Sequence, residues 1–216
     1  MKLISFIGQE KGDFPYYISS ILKQENKSIL VIDNSVSGDL YNSIVRDDEE
    51  FLQDRICNIE NTSFVRNVMY NRETFSKFDY VICYTGRAEL DETVYASDAI
   101  YVMPDYSKYS LERIKEQIEQ IEAKKELPTY FTIMRDLVTE KITDKAIANF
   151  TGMSEEQFVG HIELDPNDVA KYLTFNYNGR QAVKGLSQPY VAALIYVVMQ
   201  ITESDEKWAK KLLKKA

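Results

Sequence analysis

Apolar residues fall along this chain in short unbroken runs, separated by stretches with helical spacing. LISFI at 3–7 ends at Gly8, ILVI at 29–32 ends at Asp33, and YVICY at 80–84 and AIYVM at 99–103 each follow an aspartate, Asp79 and Asp98. Two more strands are predicted at 129–134 and 158–164. Runs that are apolar throughout, instead of at alternate positions, predict strands buried on both faces. Helices are predicted between them, at 15–24, where Pro15 suits a first turn, and at 40–55, 90–95, 107–125, 139–150, 189–201 and 204–215. The clearest is 107–125, in which Leu111, Ile114, Ile118 and Ile121 repeat at three- and four-residue spacing. Strand alternating with helix predicts an α/β fold, a doubly wound, mainly parallel sheet of seven or eight strands flanked by helices. No repeat, low-complexity tract or Pro/Gly/Ser linker divides the chain, so the expected organisation is one α/β domain over 1–203 and a basic amphipathic helix over 204–216.

Composition narrows the chemistry. The 216 residues carry 26 Lys+Arg against 34 Asp+Glu, a formal charge of −8, and 44% are hydrophobic, enough for a sizeable core. One histidine, His161, and two cysteines, Cys57 and Cys83, cannot furnish a Cys/His zinc cage or a disulfide framework. Cys83 lies inside an apolar run and reads as a core residue, and His161, also in a strand, reads as a hydrogen-bonded structural residue. The run Asp47-Asp48-Glu49-Glu50 points around a helix cylinder instead of at one metal, which makes it a solvated face. The acidic balance argues against nucleic-acid binding. No apolar stretch approaches the roughly 20 residues of a membrane span, and the apolar start is too soon interrupted for a signal peptide, so a cytoplasmic protein is expected.

In open α/β sheets ligands sit outside the carboxyl ends of the strands, which draws attention to Gly8-Gln9-Glu10-Lys11-Gly12-Asp13-Phe14-Pro15-Tyr16-Tyr17. Its place between the first strand and the first helix is that of a phosphate-binding loop. Its residues are wrong for that task. Pro15 removes an N–H donor, and Glu10 and Asp13 put negative charge where phosphate would lie.

The order of motifs nevertheless resembles the ParA/MinD family of deviant Walker ATPases. Lys11-Gly12 falls on the opening Lys-Gly of that family's K-G-G-x-G-K-T loop. Residues 29–40, ILVIDNSVSGDL, are similar to L-L-I-D-x-D-P-Q-G-N-L, with Asp33, Gly38 and Leu40 matching. Residues 78–85, FDYVICYT, are similar to Y-D-Y-V-I-I-D-T. Asp98, Val102, Pro104, Ser110 and Leu111 follow the family's D-x-x-x-V-x-x-P-x-x-x-S-L segment. This register spans nearly the whole chain and implies the ParA/MinD P-loop NTPase fold.

The departures all concern chemistry. Tyr16 and Tyr17 take the positions of the phosphate lysine and the magnesium hydroxyl, Ser35 replaces the aspartate that serves the hydrolytic water, and Tyr84 replaces the Walker B aspartate. Phosphoryl transfer depends on positioned charge and magnesium, so the expectation is a pseudo-ATPase with no catalytic residue, metal or cofactor. Residual nucleotide contact, where any exists, would fall to Gly8, Lys11, Gly12, Asp33, Arg135 and Asp136; the plainer reading is that Lys11 and Arg135 are solvated cations.

Two further features bear on partners. Of the 15 tyrosines, Tyr16, Tyr17, Tyr84, Tyr106 and Tyr109 would gather near the carboxyl ends of the strands, either as a protein-contact face or as a plug for a vacated pocket. The last ten residues contain five lysines and no acid. Trp208, Leu212 and Ala216 recur at four-residue spacing with Leu213 beside them, and Lys210, Lys211, Lys214 and Lys215 lie opposite. Such a helix either meets an anionic membrane, as the C-terminal helix of MinD-like proteins does by the resemblance, or packs on the sheet. The resemblance therefore implies a non-catalytic scaffold or positioning factor for a membrane-associated assembly, like the TadZ/CpaE group of pilus and secretion systems, at the inner face of the membrane. Protein partners are expected, and so is a homodimer resting on protein contacts in place of ATP. The alternatives are a ParA-type plasmid or chromosome partition protein and a nucleotide-binding switch without hydrolysis.

Overall fold

The computed structural model describes residues 1–45, 56–126, 129–137, 142–179 and 181–216. The elements follow in chain order: β1 (Lys2–Gly8), α1 (Asp13–Leu22), β2 (Ile29–Asp33), α2 (Asp39–Ile44), β3 (Cys57–Ile59), β4 (Thr62–Arg66), α3 (Arg72–Phe75), β5 (Tyr80–Gly86), α4 (Glu92–Tyr95), β6 (Ala99–Met103), α5 (Lys108–Lys124), β7 (Tyr130–Leu137), α6 (Asp144–Thr151), β8 (Phe158–Glu163), α7 (Pro166–Asn178), α8 (Gln188–Thr202) and α9 (Glu206–Leu213). The eight strands form one sheet in the order β3-β4-β2-β5-β1-β6-β7-β8. Every neighbouring pair is parallel except β3 and β4. The expected mainly parallel, doubly wound sheet is therefore present.

Alternation along the central strand sets the two layers. Ile4 and Phe6 of β1 join Phe14, Ile18 and Ile21 of α1 and Leu194, Val197 and Val198 of α8 on one face. Ile7 faces the other way, with Val94 of α4, Ile100 and Val102 of β6, and Ile114, Ile118 and Ile121 of α5. Helix α1 is enclosed almost completely, every residue but Ser20 being buried. Stacked rings of Phe6, Tyr101 and Phe131 run across β1, β6 and β7, with centroids 5.2 and 5.6 Å apart.

Three stretches depart from the expectation. The pair β3 and β4 closes an edge in antiparallel fashion, β3 half-buried to exposed and β4 burying Thr62, Phe64 and Val65; strand pairing decides it, and no unbroken apolar run announces it. Helix α7 is mostly polar and buries only Asp168 and Phe175. Its start is nonetheless written in Asp165-Pro166, a side-chain cap on the Asn167 and Asp168 amides followed by a first-turn proline. Helix α2 ends at Ile44. The later part of the predicted helix 40–55, with its acidic run 47–50, lies outside the described residues, as do positions 139–141 of the predicted helix 139–150. No helix among the described residues is long and apolar enough to cross a membrane.

The basic C-terminal segment packs on the body of the protein. Ala209 and Leu212 of α9 are buried in the same core as α1 and α8, and the Trp208 indole N–H donates to Glu25 at 3.1 Å. Leu212→Ala is therefore expected to lower stability to chemical denaturation by about 2–4 kcal/mol, the cost of a cavity in a packed core. Lys214→Ala, on the exposed side, should stay within about 0.5 kcal/mol of wild type.

Candidate functional site

The parallel strands deliver three loops to one end of the sheet: 8–13 after β1, 34–38 after β2 and 86–91 after β5. Because β2 and β5 lie on one side of β1 and β6 on the other, β1 stands at the reversal of strand order where such sheets bind ligands. Gly8, in the left-handed range at φ 120°, passes so close to β6 that a side chain would strike the Met103 carbonyl.

Helix α1 begins with a buried charge. The Asp13 carboxylate accepts Arg135 Nη1 and Nη2 at 2.9 and 3.2 Å and the Tyr190 hydroxyl at 2.8 Å. Both charged side chains are almost fully buried. Burial alone would lower the pKa of Arg135, but Asp13 outweighs it and raises the value further above the ordinary one. Next to this pair, Asp136 adopts a left-handed φ of 57° and accepts the Lys11 ammonium at 2.6 Å and the Gln9 amide at 2.9 Å. Burial pushes the Asp136 carboxyl up, yet those hydrogen bonds and the charges of Arg135 and Lys11 leave it below the usual range.

On the other side of the loop, carboxylates accept backbone amides. Asp39 accepts the Gly12 N–H at 2.7 Å. Glu10 accepts the Ser37 N–H and hydroxyl on one oxygen, at 3.0 and 2.5 Å, and the Arg87 N–H on the other at 2.5 Å. Asp33, fully buried, accepts the Ser35 N–H and hydroxyl and, with its second oxygen, the Tyr41 N–H. Burial lifts Asp33 to about 6 despite these hydrogen bonds, and burial also raises Asp39. The Tyr172 hydroxyl, from α7, donates to the Glu10 carbonyl at 3.3 Å.

Comparison with solved structures follows this architecture closely. MinD from Aquifex aeolicus superposes with a TM-score of 0.64 at 16% identity, over 95% of this chain and 98% of that one. A ParA family ATPase from Chlorobium tepidum gives 0.62 at 15%, over 99% and 96%. The chain has the ParA/MinD fold. A putative plasmid partition protein from Borrelia burgdorferi, bound to AMPPNP, gives 0.61 at 18%, over 93% and 100%. No protein-family model matches the sequence, and no curated protein matches it. At these identities the likeness is one of fold, carried by strand order and direction.

Within the ParA/MinD fold the expected residues separate into three groups. Gly8, Lys11, Gly12, Asp33, Arg135 and Asp136 do gather at the carboxyl end of the sheet, but they are engaged with protein groups. Arg135 is not a solvated cation: it is buried against Asp13, because a buried carboxylate at a helix start needs a counter-charge. The tyrosines divide. Tyr16, Tyr17 and Tyr84 are buried and so do not form a contact face; Tyr16 packs on Phe175, Tyr17 on Tyr190, and the Tyr84 hydroxyl donates to the Gln9 carbonyl. They plug the interior, Tyr16 and Tyr17 from the enclosed helix α1 and Tyr84 from the buried strand β5. Tyr106 is half-buried with its hydroxyl on His161, which in turn meets Asp144, and Tyr109 alone of the five is exposed. In the tail, Leu212 belongs to the core and Leu213 is half-buried, which leaves Trp208, Lys210, Lys211, Lys214 and Lys215 exposed.

The sequence did not point to Asp39, Tyr172 or Tyr190 as members of this network. Glu10 and Asp13 stood out only as misplaced negative charge, since no local signal announces partners that lie 27 and 77 residues away for Glu10 and 122 and 177 for Asp13.

Asp33 gives the site a pH dependence. Its carboxyl binds a proton more tightly in the folded chain, at about 6, than at its ordinary 3.8. The associated stability is present below about pH 4 and lost as pH rises through about 6, a change of about 3 kcal/mol. Urea denaturation of Asp33→Asn and wild type should show the difference moving in favour of the variant by about 2–3 kcal/mol between about pH 4 and about pH 7.

Proposed function

We propose that the chain is a catalytically inactive protein of the ParA/MinD fold, acting as a scaffold or positioning factor through protein contacts. One observation carries this reading. In the first turn of α1, where the resemblance places a phosphate lysine and a magnesium hydroxyl, Tyr16 and Tyr17 are buried core residues and Asp13 is ion-paired to Arg135. A triphosphate approaching this loop would meet the carboxylates of Glu10 and Asp39, while Lys11 and Arg135 are already paired with Asp136 and Asp13. Magnesium-ATP does not fit these residues, and no catalytic step is assigned to them.

The assembly served is read as membrane-associated, of the pilus or secretion kind, with protein partners and a homodimer held by protein contacts. Bilayer contact would run through the exposed Lys207, Lys210, Lys211, Lys214 and Lys215 with Trp208 beside them. Because Ala209 and Leu212 serve the core, that attraction is electrostatic, about 1 kcal/mol per lysine at an anionic surface. The AMPPNP-bound partition protein among the structural neighbours supports a second reading, plasmid or chromosome partition alongside a partner ATPase.

Titration calorimetry with ATP or ADP and magnesium should give no binding heat, and neither nucleotide should shift the melting temperature. Micromolar binding would stabilise the fold by mass action and end the inactive reading. Co-sedimentation with phosphatidylserine-containing vesicles should be lost on raising salt and in Lys210→Glu/Lys211→Glu/Lys214→Glu. Retention under both conditions would remove the lysine face as the contact.

A further inference from the structure

The Glu10 carboxylate is held in an unusual way for an acidic loop residue. Its two oxygens accept donors from two other crossover loops: the Ser37 N–H and hydroxyl after β2, and the Arg87 N–H after β5. Each loop is also fixed from behind. Arg113 of α5 donates to the Arg87 carbonyl, and Ser35 donates to Asp33.

The backbone makes room for this carboxylate. Gly86 has φ 55°, and a Cβ built there would lie 2.5 Å from Glu10 Oε1. Glycine is needed at 86 both for the left-handed turn and for the approach of the acid. Asp39 repeats the arrangement on a smaller scale: it accepts the Gly12 N–H at 2.7 Å and shares the Ser37 hydroxyl at 2.9 Å. Backbone amides converging from separate loops on one anion are the donor pattern by which proteins hold phosphates. Here the anion is a side chain of the protein itself.

We infer that Glu10 is an internal anionic ligand, tying the loops after β1, β2 and β5 into one fixed arrangement in the role a bound phosphate plays in nucleotide-dependent switches. The inference rests on reading this loop as one that holds no nucleotide. A tethered carboxylate is always present and is never hydrolysed or released, so the three loops form a constant surface at the carboxyl end of the sheet. Removing the side chain leaves an amide-lined nest that a small free carboxylate can enter.

Chemical rescue tests this. Hydrogen exchange of the full chain is measured for wild type and Glu10→Ala, with sodium formate as the probe and sodium chloride at equal ionic strength as the control. In the variant the Ser37 and Arg87 amides should exchange about tenfold faster, the factor expected for loss of a charge-assisted hydrogen bond. Formate should restore protection at both sites and chloride should not, while wild type responds to neither. Unchanged exchange in Glu10→Ala, or faster exchange that formate does not reverse, overturns the inference. Should Glu10→Ala fail to fold, Glu10→Gln keeps the side-chain shape and turns one acceptor into a donor. It should expose one of the two amides and leave the other protected, and protection of both would equally overturn the inference. Magnesium-ATP binding by wild type would overturn the inactive reading and leave this exchange result to decide the role of Glu10.

Discussion

A carboxylate buried at the start of the first helix must have a counter-charge, and much of the carboxyl end of the sheet is arranged around the one it has. Asp13 and Arg135 meet through two hydrogen bonds with almost no solvent contact, and the Tyr190 hydroxyl completes the acceptor set. Removing one member of such a pair costs about 3–5 kcal/mol, because the other is left charged and unpaired. The pair ties α1 to β7, and through Tyr190 it ties both to α8. With Arg135 turned inward, the next residue, Asp136, is held in a left-handed conformation with its carboxylate on Lys11 and Gln9. The loop before α1 is thereby fastened from the β7 side by charge and from the β2 side by Asp39.

At this end of the molecule the polar groups of the loops are paired with one another. Anion-binding donors are present, as the topology leads one to expect, but Glu10 and Asp39 take them. Cations are present too, and Asp13 and Asp136 take those. What remains open is a rim that includes Tyr109 and Val36, at 61% and 71% exposure. Those residues face outward, where another protein can reach them.

Legibility in the sequence followed the physics of each element. Strands β1, β2, β5 and β6 are buried on both faces and wrote themselves as unbroken apolar runs, and α5 carried its stripe at Leu111, Ile114, Ile118 and Ile121. The edge strand β3 has little to bury, β4 breaks its apolar pair Phe64-Val65 with polar neighbours, and α7 touches the core through few residues, so none left a comparable mark. At the candidate site, the position of the loop and the misfit of Pro15, Tyr16 and Tyr17 could be read from spacing. The pairing of Asp13 with Arg135, and of Glu10 with the Ser37 and Arg87 amides, could not, because each is created by strand order. The tail carried two compatible patterns, and burial of Ala209 and Leu212 gave its apolar side to the core.

The position of β1 has a consequence for how the chain reaches this state. The first strand lies in the interior of the sheet, between β5 and β6, and Leu3 finds its neighbour at Val81 and Ile4 at Ala99. The helix that follows it is roofed by α8, whose Tyr190 closes on Phe14. None of these contacts is local, so loop entropy must be spent before central pairing returns any stability. A chain built this way folds slowly for its size, and until α8 arrives the apolar face of α1 stays open to other chains.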